Sequence, residues 1–198
     1  MAVVIFAVLA SLAARPQTLI NGSFELGPAI GWGVLVSAGD NSTIAGWTVA
    51  SGTVDYLGGG HWAAGDGDRC LDLSGISAGR VSQTISGFSP GLPYRLSFLG
   101  AGSPEGGQVV RRMQVSIGSL SPIFSFTGSG NVSNPGWSQR SVEFVATGAT
   151  MTLSFASLED GVFGPGLDAV RIDAVPEPGI LCLWTMAFGL FAIARVRR

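Results

Sequence analysis

Short runs of alternating apolar and polar residues, separated by glycine- and proline-rich turns, constrain the fold of this chain more than any other feature. In an extended strand successive side chains point to opposite faces, so each run buries one face. No window between residues 18 and 172 has sustained helical periodicity. The pattern predicts an all-β sandwich of short strands. The apolar members of the clearest runs are Tyr94, Leu96 and Phe98; Met113, Val115 and Ile117; Val142 and Phe144; and Met151, Leu153 and Phe155.

Seven short motifs follow one another between Leu19 and Ile172. They are Ile20–Glu25, Gly46–Val49 followed by Val54–Tyr56, Gly67 before Leu71–Leu73, Val81–Ile85, Tyr94–Phe98, Gly136–Trp137 and Gly166–Val170. In this order they resemble the galactose-binding-like jelly roll, and more closely the choice-of-anchor C domain and a related plant cell-wall family of domains of unknown function. The resemblance implies a jelly-roll β-sandwich that binds glycans or other matrix components without catalysis.

The C-terminal residues 175–198 combine a Pro-Glu-Pro motif, a short apolar run from Ile180 to Ala194 and an arginine-rich end. The run reaches roughly 22 Å as a helix, less than the ~30 Å bilayer core. The tail resembles the PEP-CTERM sorting signal of Gram-negative bacteria, which implies processing by an exosortase. The alternative is an ordinary short membrane anchor. The matching residues are Pro176, Glu177, Pro178, Arg195, Arg197 and Arg198.

The N-terminal residues 1–14 are apolar and offer small residues near Ala13, which predicts a signal peptide. We therefore divide the chain into a signal peptide (1–14), a galactose-binding-like β-sandwich (15–174) and a sorting signal (175–198) with a transmembrane helix over 179–194. The arginines predict that the C-terminal end stays in the cytoplasm. The sandwich is expected to cross the inner membrane of a Gram-negative bacterium, anchored in transit, and to end at the cell surface or outside the cell.

The charge of the chain argues against a nucleic-acid partner. Residues 15–178 contain eight arginines and all 13 acidic residues, a net charge of −5, whereas nucleic-acid binding requires a basic face. Cys70 lies in the sandwich and Cys182 in the apolar run, so the sequence predicts no disulfide framework. Cys70 is interpreted as a small buried apolar residue.

Asp168 and Glu25 are the predicted metal ligands. Asp168 shares strand parity with Val170 and Ile172, which predicts that its carboxylate points to the buried side and needs a compensating partner. Oxygen ligands of this kind suit calcium. Related jelly rolls hold a structural calcium ion between these two segments, so the resemblance implies one calcium ion on Glu25 and Asp168. The alternative is that each carboxylate accepts backbone amides in a turn. The segment Gly65–Asp68 is interpreted as a polar turn.

Aromatic residues near turn signals are the candidates for stacking on a sugar, with an arginine to orient hydroxyl groups. Core packing is the alternative for each aromatic residue, and Trp47 is assigned to the core. The candidate ligand-binding residues are Tyr56, Trp62, Trp137 and Arg112.

The sequence predicts no enzyme. It lacks a Gly-x-Ser-x-Gly elbow, a phosphate loop and zinc-type histidine spacing, and His61 is its single histidine. A glycosidase with paired carboxylates is the one catalytic alternative. Its acids would come from Asp55, Asp66, Asp68, Glu105 and Asp160.

These observations together predict an exported, non-catalytic binding protein for polysaccharide or matrix material. Its expected partners are an exosortase-type enzyme, that polysaccharide or matrix, and the inner membrane through the C-terminal helix. The alternative is a structural matrix or biofilm protein that self-associates without a sugar ligand.

Overall fold

A computed structural model of the chain describes residues 17–58 and 60–176. The predicted signal peptide, the predicted transmembrane helix, and the sorting residues Glu177, Pro178, Arg195, Arg197 and Arg198 lie outside these residues. Across the two described ranges, no helix combines the length and the apolar character needed to cross a membrane.

Every regular element in the described part of the chain is a β-strand, so the prediction of an all-β fold is confirmed. The strands are β1 (Gly33–Ser37), β2 (Thr48–Ser51), β3 (Thr53–Leu57), β4 (Cys70–Asp72), β5 (Arg80–Ser86), β6 (Pro93–Gly102), β7 (Val110–Ile117), β8 (Ile123–Thr127), β9 (Ser138–Val145), β10 (Thr150–Ser157) and β11 (Pro165–Ala174).

The strands form two sheets with antiparallel neighbours. The six-stranded sheet has the order β1-β3-β4-β11-β6-β9, and the five-stranded sheet has the order β2-β5-β10-β7-β8. Apolar residues of the alternating runs in β5, β6, β7 and β10 face the space between the sheets. The predicted sandwich is therefore confirmed.

The core between the sheets is built around aromatic contacts. Phe98 of β6 meets Phe155 of β10 with ring centroids 5.2 Å apart, which joins the two sheets. Trp47 packs against Phe24 at 5.4 Å and against Phe155 at 6.1 Å. Its assignment to the core is confirmed, and its indole nitrogen donates to the carbonyl oxygen of Asn21.

A second, smaller apolar cluster covers part of the outer face of the six-stranded sheet. Leu57, Trp62 and Cys70 are buried there, and the half-buried Trp137 packs against them. Cys70 is thus buried as predicted. The loop after β3 and the loop before β9 cover β3 and β4 on this side of the sheet. The part of the outer face that these loops leave open lies over β6, β9 and β11.

A β-bulge in β11 decides where Asp168 points. The register with β6 shifts between Asp168 and Arg171, and Ala169 adopts a φ of 49°. Leu167 and Val170 therefore both reach the core between the sheets. The prediction that Asp168 is buried is confirmed. The reason given for it is wrong, because Asp168 and Val170 do not point to the same face of the sheet. Asp168 lies on the side opposite Leu167, beneath the loop after β3.

Candidate functional site

Two buried or half-buried carboxylates hold the turn Gly65–Arg69 against the six-stranded sheet. Oδ2 of Asp168 accepts hydrogen bonds from the amides of Gly65 and Asp66 at 2.8 and 2.9 Å. Oε1 of Glu25 accepts from the amides of Asp68 and Arg69 at 3.0 and 2.9 Å. The polar turn predicted from the sequence is thus fixed at both of its ends.

Burial governs the titration of Asp168, which has no exposed surface. Desolvation raises the pKa of this carboxyl group to about 7, although the amides of Asp66, Ala169 and Gly65 donate to it and oppose the rise. The desolvation of the charged form outweighs three hydrogen bonds. The group that supports the turn therefore changes charge near neutral pH.

A groove of about 250 Å³ lies on the open face of the six-stranded sheet. We call it the sheet groove. Ser97 and Leu99 of β6, Gln139 of β9 and Arg171 of β11 line its floor, and Asp66 of the turn forms one wall. The groove offers a hydroxyl group, a carboxamide, a guanidinium and a carboxylate over a small apolar patch.

Asp66 and Arg171 form an ion pair at the wall of the sheet groove, with 3.1 Å between Nη2 and Oδ2. Hydrogen bonds from Ser23 and Arg171 lower the pKa of Asp66, so this carboxylate is ionised at neutral pH. Both bonds reach Oδ2. The second oxygen, Oδ1, accepts no hydrogen bond from a described residue and remains available to a ligand.

Trp137 and Gly65 set the shape of the sheet groove on its apolar side. A β-carbon at Gly65 would lie 2.7 Å from Cδ1 of Leu99 and 3.2 Å from the ring of Trp137. A larger residue at this position would therefore displace Leu99 and press on the ring of Trp137. The indole nitrogen of Trp137 donates to the carbonyl oxygen of Ala63 at 2.8 Å, which fixes the ring.

A second concavity, of about 500 Å³, lies on the other side of the same turn. We call it the loop pocket. It is lined by Glu25, Ala29, Ile30, Gly31, Gly58, Gly60, Asp68 and Arg69. Asp66 and Asp68 thus face different concavities although they are two residues apart, because the turn separates the sheet groove from the loop pocket.

A family profile decides the relationship of this chain to known proteins. The profile described as "Protein of unknown function (DUF642)" matches residues 17–173. The chain belongs to the DUF642 family. The predicted resemblance to a plant cell-wall family of domains of unknown function is thereby confirmed. The match spans β1 to β10, all but the last residue of β11, and the residues that line both concavities.

Two curated relatives and one solved structure are similar to the DUF642 domain. "Halomucin" from Haloquadratum walsbyi is 28% identical over 84% of this chain and 2% of its own length. "Protein DUF642 L-GALACTONO-1,4-LACTONE-RESPONSIVE GENE 1" from Arabidopsis thaliana is 28% identical over 78% of this chain and 45% of its own length. The chain thus spans less than half of each relative. The carbohydrate-binding module TmCBM61, solved with β-1,4-galactotriose, has 15% identity and a TM-score of 0.48, covering 81% of this chain and 100% of that chain.

The four predicted ligand-binding residues do not form one site in the DUF642 domain. Tyr56 and Trp62 are 0% and 2% exposed, so for these two the core alternative is confirmed and the prediction of ligand contact is wrong. Trp137 is half-buried beside the sheet groove. Arg112 is exposed on the opposite sheet, where its Nε lies 3.0 Å from Glu159.

Tyr56 supports the loop pocket from beneath. Its hydroxyl group donates to the carbonyl oxygen of Phe24 and accepts a hydrogen bond from Nη1 of Arg69 at 2.8 Å. The guanidinium of Arg69 also lies 5.4 Å from the centre of the Tyr56 ring. Tyr56 therefore positions a charged pocket residue instead of contacting a ligand itself.

Of the acids considered for a glycosidase, Asp55 and Glu105 lie close enough to interact: burial raises the pKa of Asp55, the charge of His61 opposes this rise and the charge of Glu105 adds to it. Asp55 lies opposite Asp72 on neighbouring strands, but Asp72 is 3% exposed and accepts the amides of Ser74 and Gly164. Burial raises the pKa of Asp72 well above its usual range. Glu105 accepts the indole N–H of Trp62 at 3.0 Å. A substrate cannot reach Asp72 without opening this face of the sheet.

Asp66, Asp68 and Asp160, in contrast, are dispersed. Asp66 lines the sheet groove, Asp68 lines the loop pocket, and Asp160 is exposed in the loop before β11. The sheet groove therefore has one carboxylate, Asp66, among its lining residues, whereas the loop pocket has two, Glu25 and Asp68.

The predicted calcium ligands Glu25 and Asp168 meet the same turn from two sides. The oxygens that hold the turn accept backbone amides, as the alternative interpretation of these carboxylates requires. Oδ1 of Asp168 also accepts the amide of Ala169 at 2.6 Å. In the part of the chain that is described, no group of three or more acidic, histidine or cysteine residues could hold a metal ion. The observed contacts match the amide-capping alternative, and a calcium ion on Glu25 and Asp168 stays a prediction.

Sequence reasoning missed Trp32, whose side chain is 76% exposed. It directly follows Gly31, which lines the loop pocket, and its carbonyl oxygen accepts the amide of Gly58 at 3.0 Å. One signal was available, because Trp32 stands between two glycines and thus has small neighbours. Ser97 and Gln139 were also missed, since their type and position are ordinary for an exposed sheet face.

Proposed function

We propose that this DUF642 domain binds polysaccharide at the sheet groove without catalysis. The observation that carries the proposal is the set of hydrogen-bonding side chains on one open sheet face, bordered by an aromatic ring. Ser97, Gln139, Arg171 and the free oxygen of Asp66 can donate to and accept from sugar hydroxyl groups. Leu99 and Trp137 supply apolar area for the faces of sugar rings.

The composition of the groove supports binding over hydrolysis. Glycosidases use two carboxyl groups, roughly 5–10 Å apart. The sheet groove has one, Asp66, and the nearby guanidinium of Arg171 neutralises it. The adjacent Asp168 is fully buried under the turn. We therefore expect no release of reducing sugar from any polysaccharide that the protein retains.

A glycan array with the full chain tests this proposal. Gln139→Ala combined with Arg171→Gln removes two of the groove's hydrogen-bonding groups, and we expect at least a tenfold loss of affinity, about 1.4 kcal/mol. Arg112→Ala is the matched control, because it removes an exposed arginine from the opposite sheet. Equal glycan retention by the groove variant and the control would contradict the proposed site. No retention of any glycan by the unmodified chain would contradict the function.

Export and C-terminal processing are part of the same proposal. The order of a Pro-Glu-Pro motif, an apolar run and clustered arginines supports recognition of residues 175–198 by an exosortase-type enzyme at the inner membrane. Mass spectrometry of protein recovered from the outside of the native cells is expected to find peptides of the sandwich without residues 180–198. Recovery of the intact tail on external protein would contradict processing.

One observation favours the alternative function, a matrix protein that self-associates. Strand β1 is an edge of the six-stranded sheet, and its residues Val34 and Leu35 are exposed. An apolar edge strand can pair with a second chain. Sedimentation velocity over a range of concentrations tests this, with Val34→Lys expected to abolish any assembly and Val162→Lys, on a loop, expected to preserve it. A monomer at all concentrations rejects the alternative.

A further inference from the structure

We propose that the loop pocket is a second subsite for the same polysaccharide, with Trp32 as its stacking platform, and that the pair of subsites selects neutral glycans. This inference rests on the proposed function and names its substrate class. It concerns a concavity and an exposed aromatic ring outside the sheet groove, together with the charge balance of both concavities.

Trp32 is the most exposed of the large apolar side chains in the described part of the chain. Trp32 is next to the pocket: it follows Gly31, which lines it, and its carbonyl oxygen accepts the amide of Gly58, which also lines it. Its indole makes no hydrogen bond or ring contact with another described residue. An exposed ring of this kind loses water on contact with the C–H face of a sugar, and its N–H can donate to a hydroxyl group.

The charged residues of the loop pocket are positioned to accept and donate hydrogen bonds. Oε1 of Glu25 holds the turn, whereas Oε2 accepts no hydrogen bond from the described residues. The carboxylate of Asp68 is exposed at the same pocket and likewise has no described partner. Arg69 is fixed through Tyr56 and adds a donor. These groups match the ring of hydroxyls around a hexose better than they match an apolar ligand.

The charge balance excludes acidic sugars from the two subsites. Glu25 and Asp68 outnumber Arg69 in the loop pocket, and Asp66 neutralises Arg171 in the sheet groove. Neither concavity therefore has an excess of positive charge to attract the carboxylate of a uronic acid or a sulfate group. Residues 15–178 also carry a net charge of −5, which repels a polyanionic chain over longer distances.

The two subsites are close enough to serve one chain. Gly65 belongs to the sheet groove and Arg69 to the loop pocket, and four residue steps span at most about 14 Å. A second contact on the same polymer raises its affinity through effective concentration. Oligosaccharides long enough to cross the turn should therefore bind more tightly than a single sugar unit.

Calorimetry with the full chain and neutral glucan, galactan and xylan oligosaccharides of increasing length tests the inference. Polygalacturonate serves as the acidic comparator. For the longest bound oligosaccharide we expect Trp32→Ala to lower affinity about tenfold and Trp32→Phe to retain most of it. Ile76→Ala is the matched control, since Ile76 is 67% exposed on a different turn.

The outcomes separate the inference from the function it rests on. Wild-type affinity of Trp32→Ala, with weakened binding by the Gln139→Ala and Arg171→Gln variant, would overturn the second subsite and leave the sheet groove standing. Tighter binding of polygalacturonate than of every neutral glycan would overturn the choice of substrate class. If the unmodified chain binds none of these glycans, the proposed function fails and the inference fails with it.

Discussion

Asp168 shows how one side chain can support a binding surface and also make its stability depend on pH. Its pKa is raised by burial from 3.8 to about 7. Between pH 4 and pH 7, roughly, the folded state therefore keeps a proton on Asp168 that the unfolded state has released. This contribution to stability is fully present below about pH 4 and is lost as the pH rises through 7.

We therefore expect the unfolding free energy of the wild type to fall more between pH 5 and pH 8 than that of Asp168→Asn, by about 2 to 3 kcal/mol. Asparagine cannot titrate, so its baseline cost is the same at both pH values. Denaturant unfolding of both proteins at the two pH values measures the difference. Parallel pH profiles would show that Asp168 keeps an ordinary pKa in the folded protein.

At the scale of single residues, the sequence shows which aromatic residues stand near turns but does not show which of their rings are exposed to solvent. Trp62 stands near a turn, as a sugar-stacking residue would, but Glu105 from a distant loop accepts its indole N–H and the ring is covered. Trp32 has the same kind of turn context and remains exposed. Which ring is covered depends on loops that are far apart in the sequence, so local patterns cannot decide it.

At the scale of elements, the turn Gly65–Arg69 depends on its central glycine. Gly67 has a φ of +79°, and a β-carbon there would lie 2.5 Å from Oε1 of Glu25. Gly91 has a similar φ of +85° but open space around it. We expect Gly91→Ala to cost about 1 kcal/mol through backbone strain alone, and Gly67→Ala to cost about 1 kcal/mol more, because Glu25 must leave the turn.

Thermal or denaturant unfolding of both glycine variants measures these costs. Glycan binding gives a second readout, because displacement of Glu25 disturbs the loop pocket, whereas Gly91 lines neither the loop pocket nor the sheet groove. Equal destabilisation of the two variants would mean that Glu25 does not fasten the turn.

The strand faces were predictable from the sequence, whereas strand order and the bulge were not. Alternation in the run from Tyr94 to Phe98 encodes the buried face of β6 directly. Nothing local specifies that β11 inserts between β4 and β6, since its paired residues are 94 to 96 positions away in β4 and 63 to 80 positions away in β6. The bulge at Ala169 uses a positive φ at a residue that gives no glycine signal. The location of Asp168 therefore required the structure.

At the scale of the whole molecule, the domain is held together by packing and by carboxylate contacts with the turn. Cys70 is the one cysteine in the described residues and it is free, so these residues contain no disulfide. Glu25 and Asp168 connect the chain's first segment and last strand to the same turn. If their hydrogen bonds to amides replace a metal, the stability of the whole domain should not depend on calcium.

We accordingly expect the melting temperature of the full chain to be unchanged by excess EDTA and by added calcium, as followed by circular dichroism. Glu25→Gln sharpens the test, because Gln retains an Oε1 that can accept the amides of Asp68 and Arg69 but lacks the charge that calcium requires. Suppose EDTA lowers the melting temperature of the wild type, calcium restores it, and Glu25→Gln responds to neither. The calcium prediction would then hold, and the carboxylates would have to turn from the amides to the ion when it binds.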